Sequence, residues 1–286
     1  MVPGLTVVVL TYNEEKRLPD CLDSLRGVDA RVFVVDSYST DRTPEILRER
    51  GVAYVQHEFT NYAVQRNWAQ ANNPFGTEWI LHLDADERLT PELRHWLAGA
   101  FRRLAVRHDG FMFSRRTVFL GRWIRHGGHY PVFHLRLLRV AKGRCEEKAY
   151  DQHFVVGGSI LRVDDADIID IVAADIAAFV TAHNKWSDLE AAEIVKGSSG
   201  GAVRPRLFGN PIERRRWLKR RVFERAPIFL RSVGYFFYRY GIRFGFLDGK
   251  EGLIFHCLHA FWFRFVIDAK AYEIRKKREQ NAPARW

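Results

Sequence analysis

Apolar runs alternate with amphipathic segments through residues 5–83 of the chain. In order, the pattern predicts a strand at 5–10, a helix at 15–26, a strand at 31–35, a helix between Pro44 and Gly51, a strand at 52–56, a helix at 61–72 and a strand at 79–83. Strands that are apolar throughout and alternate with helices are typical of a parallel sheet covered by helices on both faces. The sequence therefore predicts an α/β fold for this region.

Polar side chains follow three of these strands at the carboxyl ends. Thr11–Glu14 follow the first strand, Asp36 follows the second, and Asp84 and Asp86 follow the strand at 79–83. Ligands of open α/β sheets bind beyond these ends, so one crevice can collect all of these residues. Two carboxylates one residue apart suit Mg²⁺ or Mn²⁺, whose remaining positions are filled by phosphate oxygens. The alternative is an ordinary surface turn, in which Asp-x-Asp is also common.

Six stretches of the chain occur in an order that is familiar from a known family. They are Val8–Glu15, Val34–Thr43, Gln65–Asn67, Leu83–Glu87, Phe119–Gly128 and Phe246–Gly252. The first four resemble the inverting family 2 glycosyltransferases of the GT-A fold. The last two are similar to the branch that includes the lipopolysaccharide-core β-1,4-glucosyltransferases. The resemblance covers most of the chain and implies a Rossmann-like, mostly parallel sheet with helices on both faces.

The resemblance also implies roles for individual residues. The nucleotide-sugar contacts would be Thr11, Asn13, Glu14, Asp36, Arg66 and Asp84. Asp36 would bind the base, and Arg66 would meet the nucleotide or its diphosphate, which suits guanidinium geometry. Asp86 would hold Mg²⁺ or Mn²⁺, with Asp84 as a second ligand. The alternatives are that Asn13 and Asp36 are turn or cap residues and that Arg66 is an exposed helical arginine.

Inverting transfer also requires a base that removes the proton of the acceptor hydroxyl, usually a carboxylate. In similar sequences an acidic residue lies in the region that reads Cys145–Phe154 here. Asp151 is the first candidate, followed by Glu147 and then Glu146. Gln152 stands where many similar sequences have a glutamate. The base therefore stays open, and so does a catalytically weakened, membrane-tethered protein that binds sugar nucleotides or acts as a scaffold.

Further candidates are acceptor or phosphate contacts. They are Arg122, Arg125, His126 and His153. The first three surround a flexible glycine pair and could contact a phosphate of a lipid-linked substrate or of the donor; the alternative is a solvated basic loop. A sugar nucleotidyltransferase is a less consistent interpretation, because such enzymes normally carry a glycine-rich, basic loop after the first strand.

Charge is unevenly distributed along the chain. The net charge is +11, but residues 201–286 alone carry 20 basic and 7 acidic residues together with 18 of the 39 aromatic residues. Basic helices with aromatic residues are typical of the surface of anionic membranes. The apolar stretch 253–267 is shorter than the roughly 20 residues of a membrane span, so we expect helices lying in the interface. The alternative is packing against the catalytic domain. No nucleic-acid-binding module is recognisable, and we expect no nucleic-acid partner.

These observations predict three regions. They are a GT-A catalytic domain at 1–160, a linking or acceptor-side helical segment at 161–200, and a basic aromatic helical region for membrane association at 201–286. Three isolated cysteines and the lack of a recognisable signal peptide suit a reducing cytosol, and no Cys/His spacing suggests zinc. The expected enzyme lies at the cytoplasmic face of the inner membrane, peripheral or shallowly inserted. Its expected partners are a nucleoside-diphosphate sugar, a lipid-linked or core saccharide and an anionic membrane surface.

Overall fold

The computed structural model describes residues 4–147, 152–173, 175–196, 206–209, 211–221 and 223–280. The strands are β1 (Leu5–Thr11), β2 (Arg31–Asp36), β3 (Ala53–Gln56), β4 (Trp79–Asp84), β5 (Glu87–Leu89), β6 (Gly110–Phe119), β7 (Arg122–Trp123), β8 (Phe133–Arg139), β9 (Gly143–Cys145), β10 (Phe154–Val156) and β11 (Ile160–Ile171). The α-helices are α1 (Leu18–Ser24), α2 (Thr43–Glu49), α3 (Tyr62–Ala71), α4 (Pro91–Ala98), α5 (Ala100–Leu104), α6 (Ile176–Lys196), α7 (Pro211–Arg221), α8 (Leu230–Phe237), α9 (Gly249–His256) and α10 (Phe263–Gln280). The predicted α/β fold is confirmed.

The main sheet has the order β3-β2-β1-β4-β8-β6-β11-β5, with β7 paired to β6. The pairs β1–β2, β1–β4 and β2–β3 are parallel, as predicted from the alternation of strands and helices. The pairs β4–β8, β6–β8 and β11–β5 are antiparallel. The parallel strands therefore form one side of the sheet, and their carboxyl ends lie along a single edge.

Both faces of the parallel strands are covered. Alternate residues of β1 point to opposite faces, so Val7 and Val9 join the core that contains Leu18 of α1. Val8 and Leu10 join a second core that contains Ala69 of α3. Each β1 residue is consequently buried, which explains why this strand is apolar apart from Thr6 and Thr11.

Helix α1 is shorter than expected from the pattern at residues 15–26. The amides of Arg17 and Leu18 both donate to the Glu14 carbonyl, at 3.0 and 2.8 Å, so a tight turn precedes the helix. Pro19 lies in the first turn of α1, where its missing amide costs no hydrogen bond. The residues that follow β1 are therefore free to form a loop at the edge of the sheet.

The chain divides into two compact units. Among the described residues, the first unit contains 4–116, 131–147 and 152–171, and the second contains 117–130 together with the residues beyond 171. The parallel strands lie in the first unit. Helix α6 packs on α10 in the second, where Glu190 accepts hydrogen bonds from Lys219 and Arg264. The three regions expected at 1–160, 161–200 and 201–286 stay a prediction.

The second unit ends in a long helical stretch, Gly245–Gln280. A short 3₁₀ segment, Gly245–Asp248, precedes α9, and a π-helical segment, Cys257–Trp262, joins α9 to α10. By length and composition alone the whole stretch could cross a membrane, and 39% of its most apolar window is buried inside the protein. Core helices of soluble proteins have the same properties, so membrane association stays a prediction.

Candidate functional site

The carboxyl ends of β1, β2 and β4 lie side by side. In the strand register Thr11 is opposite Asp36, and Leu10 is opposite Asp84. Thr11, Asp36 and Asp84 therefore share the edge at which sheets of this kind bind ligands. The Thr11 hydroxyl is buried and has no hydrogen-bond partner among the described residues. It can donate to or accept from a ligand at this edge.

Asn13 and Asp36 hold the loops after β1 and β2 together. Asn13 has a left-handed backbone (φ 54°), and its Oδ1 accepts a hydrogen bond from the Thr40 amide at 2.8 Å. The Asn13 amide donates to Ser39 Oγ at 2.8 Å. The Asp36 carboxylate accepts from the Ser39 amide and hydroxyl and from Gln56 Nε2. These contacts are those of turn residues, and the predicted nucleotide contacts stay a prediction.

Helix α3 carries consecutive residues that connect separate parts of the first unit. Gln65 is fully buried and donates to a backbone carbonyl in the loop after β3. Arg66 Nη2 donates to both carboxylate oxygens of Asp84, each at 3.1 Å. The Asn67 side chain makes two hydrogen bonds with the backbone of Cys145, at 2.8 and 3.0 Å. Arg66 is therefore not an exposed helical arginine, because its guanidinium is fixed on the first acid of the Asp-Ala-Asp motif.

Asp84 lies between two arginines. Besides Arg66, the guanidinium of Arg136 in β8 approaches Asp84 Oδ2 at 3.4 Å. Burial disfavours the charged form of this carboxyl, but the charges of Arg66 and Arg136 outweigh it and hold the pKa of Asp84 well below its usual range. Asp84 is therefore ionised, and its position is fixed by contacts within the protein.

Glu87 shares Arg136 with Asp84. Its Oε1 accepts from Arg136 Nη2 at 2.5 Å, and its Oε2 accepts from the Asp84 amide at 3.0 Å. Asp170 of β11 is opposite Glu87 in the strand register and lies 3.3 Å from Arg115 Nε. Burial, opposed by Arg136 and assisted by Asp84 and Asp170, raises the pKa of Glu87 to about 7.

Asp86 makes a long ion pair, with 3.7 Å between its Oδ2 and Arg17 Nη1. Arg17 is already bound to both carboxylate oxygens of Glu14, each at 2.6 Å. Burial and then the neighbouring carboxylates raise the pKa of Asp86 well above its usual range, against the charge of Arg17. The Asp86 side chain keeps 28% of its surface exposed, so a cation from solvent can reach it.

These residues form a carboxylate–arginine cluster. Its members are Glu14, Asp84, Asp86, Glu87, Asp170, Arg17, Arg66, Arg115 and Arg136. Carboxylates outnumber arginines by one, and the shortfall of positive charge lies at Asp86. Among the described residues no three side chains are arranged to hold a metal ion by themselves. The donor set nevertheless fits Mg²⁺ or Mn²⁺, which proteins often bind through one or two carboxylates completed by water and substrate phosphates.

The predicted base candidates lie around β9 and β10. Asp151 falls outside the described residues, and Glu147 is exposed. Glu146 is buried, and its Oε1 accepts from the His153 amide at 3.0 Å and lies 3.2 Å from His153 Nδ1. His153 is thus in contact with a carboxylate of its own hairpin, and the identity of the base stays a prediction.

Two of the predicted phosphate contacts lie in and after β7, in the second unit. Arg122 Nη2 donates to the Leu247 carbonyl at 3.5 Å, and the Arg125 guanidinium lies 5.4 Å from the centre of the Trp123 ring. Both arginines are exposed. Their side chains can therefore still meet an anion, and that role stays a prediction.

His126 joins two stretches of the second unit that are far apart in sequence. The His126 amide donates to Asp248 Oδ2 at 2.9 Å, and His126 Nδ1 lies 2.7 Å from Asp248 Oδ1. The next amide, of Gly127, donates to the Arg243 carbonyl at 2.8 Å. Gly127 has a positive φ of 66°, and a Cβ atom there would lie 2.2 Å from His256 Cε1. Only glycine fits beside His256, the last residue of α9, and the His126 contacts fasten the loop after β7 to Asp248 at the start of that helix.

Three cluster residues were not identified from the sequence: Arg17, Arg136 and Asp170. Arg136 lies among leucines in β8, and Asp170 lies among isoleucines at the end of β11. A buried charge in such a setting signals a pair or a site. The partner could not be inferred, because Arg136 and Glu87 are 49 residues apart. Glu87 belongs to the motif Leu83–Glu87, but the motif alone indicates no role for it.

Comparisons with known proteins place the chain in a family. The family model described as glycosyl transferase family 2 matches residues 6–165, which is more than half of the chain. The chain is 27% identical over 220 residues to the lipopolysaccharide core biosynthesis glycosyltransferase LpsC of Rhizobium meliloti (strain 1021), covering 73% of this chain and 77% of that protein. It is 31% identical over 90 residues to an uncharacterized glycosyltransferase of Rickettsia typhi, of which it covers 30%.

Two solved structures show partial similarity to the chain. Residues 1–349 of Staphylococcus aureus TarS, crystallised with UDP-GlcNAc, align with 99% of this chain and 93% of that chain at 14% identity and a TM-score of 0.47. The glucosyl-3-phosphoglycerate synthase of Mycobacterium tuberculosis, crystallised with Mn²⁺, UDP and phosphoglyceric acid, aligns with 40% of this chain and 44% of that chain at 21% identity and a TM-score of 0.34.

The matched residues contain the parallel strands, the loops at their carboxyl ends and the Asp84–Glu87 segment. The resemblance predicted from the sequence motifs is thereby confirmed at the level of the family, and the protein is a transferase. The chain belongs to glycosyl transferase family 2.

Proposed function

We propose that this protein transfers a sugar from a nucleoside-diphosphate donor, with UDP-sugars as the first class to test, to a hydroxyl of a lipid-linked or polysaccharide acceptor. The reaction inverts the anomeric centre in a single displacement. The observation that carries the proposal is Asp86, a carboxylate with too little positive charge around it, at the carboxyl end of a parallel sheet in a family 2 chain.

The residues at the sheet edge would form the donor site. The unpaired Thr11 hydroxyl and the linked loops at Asn13 and Asp36 would surround the nucleoside. Arg66, already fixed on Asp84, would lie beside the diphosphate, where a guanidinium matches phosphate geometry. Asp86, with Asp84 as the second candidate, would hold Mg²⁺ or Mn²⁺. When bound, such a cation stabilises the negative charge of the departing nucleoside diphosphate.

Transfer requires the acceptor oxygen to attack the anomeric carbon while the bond to the diphosphate oxygen breaks. The proton of the acceptor hydroxyl passes to a carboxylate base within hydrogen-bond reach. Asp151 is our first candidate and Glu147 the second. Glu146 is a weaker candidate, because its carboxylate is buried and bound to His153.

The similarity to LpsC of Rhizobium meliloti supports an acceptor in lipopolysaccharide core or a related polysaccharide. Such an acceptor is attached to lipid and is presented at a membrane surface. The basic, aromatic residues after position 200 suit a peripheral position at the cytoplasmic face of the inner membrane. Arg122 and Arg125 are exposed cations that could meet a phosphate of the acceptor.

A second candidate function is the binding of a sugar nucleotide without turnover, as in a membrane-tethered scaffold. Gln152 favours it, because an amide stands where similar sequences have a carboxylate and an amide cannot take up the proton. The two functions share the donor site. They differ only in whether the bond between the sugar and the diphosphate is broken.

The test is a donor screen with the purified full-length protein, with and without Mg²⁺ or Mn²⁺. Thermal stabilisation reports binding, and slow hydrolysis of UDP-, GDP-, CMP- and dTDP-sugars reports chemistry. We expect one nucleotide class to stabilise the protein only with metal and to be hydrolysed slowly. Stabilisation without hydrolysis, unchanged by candidate acceptors, would support the binding protein. Stabilisation that is the same with EDTA and in Asp86→Ala would refute the metal assignment.

A further inference from the structure

Helix α8 and the turn after it carry large apolar side chains on the outside of the second unit. Leu230 and Phe237 are two helical turns apart on one face of α8, and 67% and 63% of their surfaces are exposed. Ile242 ends the π-helical turn Tyr238–Ile242, Phe244 follows it, and these two residues are exposed by 69% and 57%. A surface helix of a soluble protein normally turns such a stripe toward the core. We call Leu230, Phe237, Ile242, Phe244, Phe246 and Leu247 the exposed apolar face.

Three polar residues of α8 and the π-helical turn point inward, namely Arg231, Ser232 and Arg239. Arg231 forms an ion pair with Asp268 of α10, and both side chains are buried. Arg239 is buried and donates to the Tyr235 hydroxyl, and Ser232 is fully buried. Buried charges are held in place only when they are paired, so these contacts fix the rotation of α8 about its axis. The outward direction of the apolar residues is therefore built into the packing of this unit.

The backbone at Phe244 is strained in a way that maintains this exposure. Phe244 has a φ of 59°, a left-handed conformation that residues with a Cβ atom rarely adopt. Hydrogen bonds on both sides hold it there, from the Phe244 amide to the Gly241 carbonyl and from the Leu247 amide to the Phe244 carbonyl, each at 3.0 Å. Phe244 is 57% exposed, and strained residues of this kind cluster at functional sites.

Charge around this face is predominantly positive. Residues 226–247 contain three arginines and no acidic residue. Arg225, Arg243 and Lys250 are exposed at its margins, whereas the adjacent Asp248 is buried against His126. Apolar and aromatic side chains surrounded by exposed cations complement the acyl and headgroup layers of an anionic bilayer.

We propose that the exposed apolar face is the surface by which this protein inserts shallowly into an anionic membrane. The inference rests on the proposed function for the reason to bind there, namely a lipid-linked acceptor, and it adds the residues that make the contact. It differs from a membrane span, because α8 is eight residues long and one of its sides is occupied by buried ion pairs.

The experiment measures co-sedimentation of the full-length protein with sucrose-loaded vesicles. Phosphatidylcholine vesicles are compared with vesicles that also contain phosphatidylglycerol. We expect binding only with the anionic lipid. In Phe237→Ser/Ile242→Ser the partition coefficient should fall by about tenfold or more, because two apolar side chains no longer leave water. The matched control is Val106→Ser in the first unit, whose side chain is 84% exposed and which should bind as the unchanged protein does.

The variant Phe244→Gly distinguishes a loss of membrane contact from a loss of stability. It removes the ring and relieves the left-handed strain, so vesicle binding should fall while the thermal midpoint stays the same or rises. Vesicle binding that is equal in both variants and the unchanged protein would overturn the proposal. So would a concentration-dependent dimer that both variants dissociate, with no vesicle binding, because the face would then join two copies of the chain.

Failure of this inference can be told apart from failure of the proposed function. Vesicle binding is measured without a donor, and donor hydrolysis is measured without vesicles. Hydrolysis with no vesicle binding would overturn only the membrane surface. Vesicle binding lost in the two variants, with no response to any donor, would support the surface and refute the transferase site.

Discussion

Charged side chains are gathered at the end of a parallel sheet in the first unit, whereas large apolar side chains lie in solvent in the second. The first arrangement places five carboxylates and four arginines where water is largely excluded. The second exposes roughly half or more of each of six apolar residues. Charged side chains are usually exposed and large apolar side chains are usually buried, so both arrangements are the reverse of the usual one. Contacts within each unit stabilise them. We therefore expect a different ligand at each site. The carboxylate–arginine cluster of the first unit should bind an anion with its cation, and the exposed apolar face of the second unit should bind lipid.

Replacement of Asp86 should have the largest effect. Asp86→Asn removes the carboxylate that lacks sufficient positive charge, and donor hydrolysis should fall on the order of a thousandfold. Without metal, the Asp86→Asn variant should unfold at the same temperature as the unchanged protein or at a higher one, because repulsion among the neighbouring carboxylates decreases. Hydrolysis rates and thermal midpoints with and without Mg²⁺ check both expectations. Asp164→Asn, at an exposed acid, is the control; a midpoint that still responds to Mg²⁺ in Asp86→Asn would contradict the assignment.

Removal of Arg136 should have the next largest effect, on stability. Arg136→Ala leaves the buried Glu87 without a cation and leaves Asp84 with Arg66 alone, so the free energy of unfolding should fall by about 3–5 kcal/mol. Arg162→Ala breaks an exposed ion pair with Asp164 and should lower it by less than about 1 kcal/mol. Urea unfolding of both variants measures the difference. Equal losses of unfolding free energy in the two variants would contradict this expectation, because they would mean that water screens the ion pairs of the cluster as it screens those at the surface.

Two glycines with positive φ allow the cost of a steric collision to be separated from the cost of backbone strain. Gly127 and Gly76 have φ values of 66° and 57°, but a Cβ atom would collide with His256 only at Gly127 and would meet open space at Gly76. Gly127→Ala should therefore be less stable than Gly76→Ala by about 1–3 kcal/mol. Thermal unfolding of the two variants isolates the collision, since the cost of a positive φ is common to both. A larger loss at Gly76 would show that the fastening of the loop after β7 is loose.

The smallest expected effect concerns the start of α3, the helix that carries Arg66. The Asn61 side chain accepts a hydrogen bond from the Val64 amide at 3.0 Å and caps this helix. Asn61→Ala should lower the free energy of unfolding by about 1 kcal/mol, whereas Asn61→Ser should leave it nearly unchanged. Chemical denaturation distinguishes the two variants. An equal loss in both would show that the cap contributes little.

The local sequence pattern was sufficient to predict many of the strands and helices of the first unit. The strand expected at 79–83 is β4 at Trp79–Asp84, and the helix expected at 61–72 is α3 at Tyr62–Ala71, because periodicity and end signals act within a few residues. The motifs also located the acids at the sheet edge. The charges that surround those acids could not be predicted, because Arg136 comes from a distant antiparallel strand and only the fold brings it to Asp84.

The second unit was harder to interpret for a related reason. Its basic and aromatic composition indicated a membrane surface but did not distinguish inward from outward residues. The direction of α8 depends on the pairing of Arg231 with Asp268, which lie 37 residues apart. Likewise, the sequence marked the stretches around His126 and Asp248 as similar to one family branch, yet their contact spans 122 residues.

The hydrogen bonds that link Asn13 to Ser39 and Thr40 have a consequence for thermodynamics. Loops that close over a ligand usually lose conformational entropy when the ligand arrives, and this loss weakens binding. Here folding itself has already restricted both loops, because each is tied to the other. Calorimetry of nucleotide binding should therefore show little of the unfavourable entropy that accompanies loop ordering. Asn13→Ala should shift the binding signature toward larger opposing enthalpy and entropy, because the two loops would then be ordered only when the nucleotide binds.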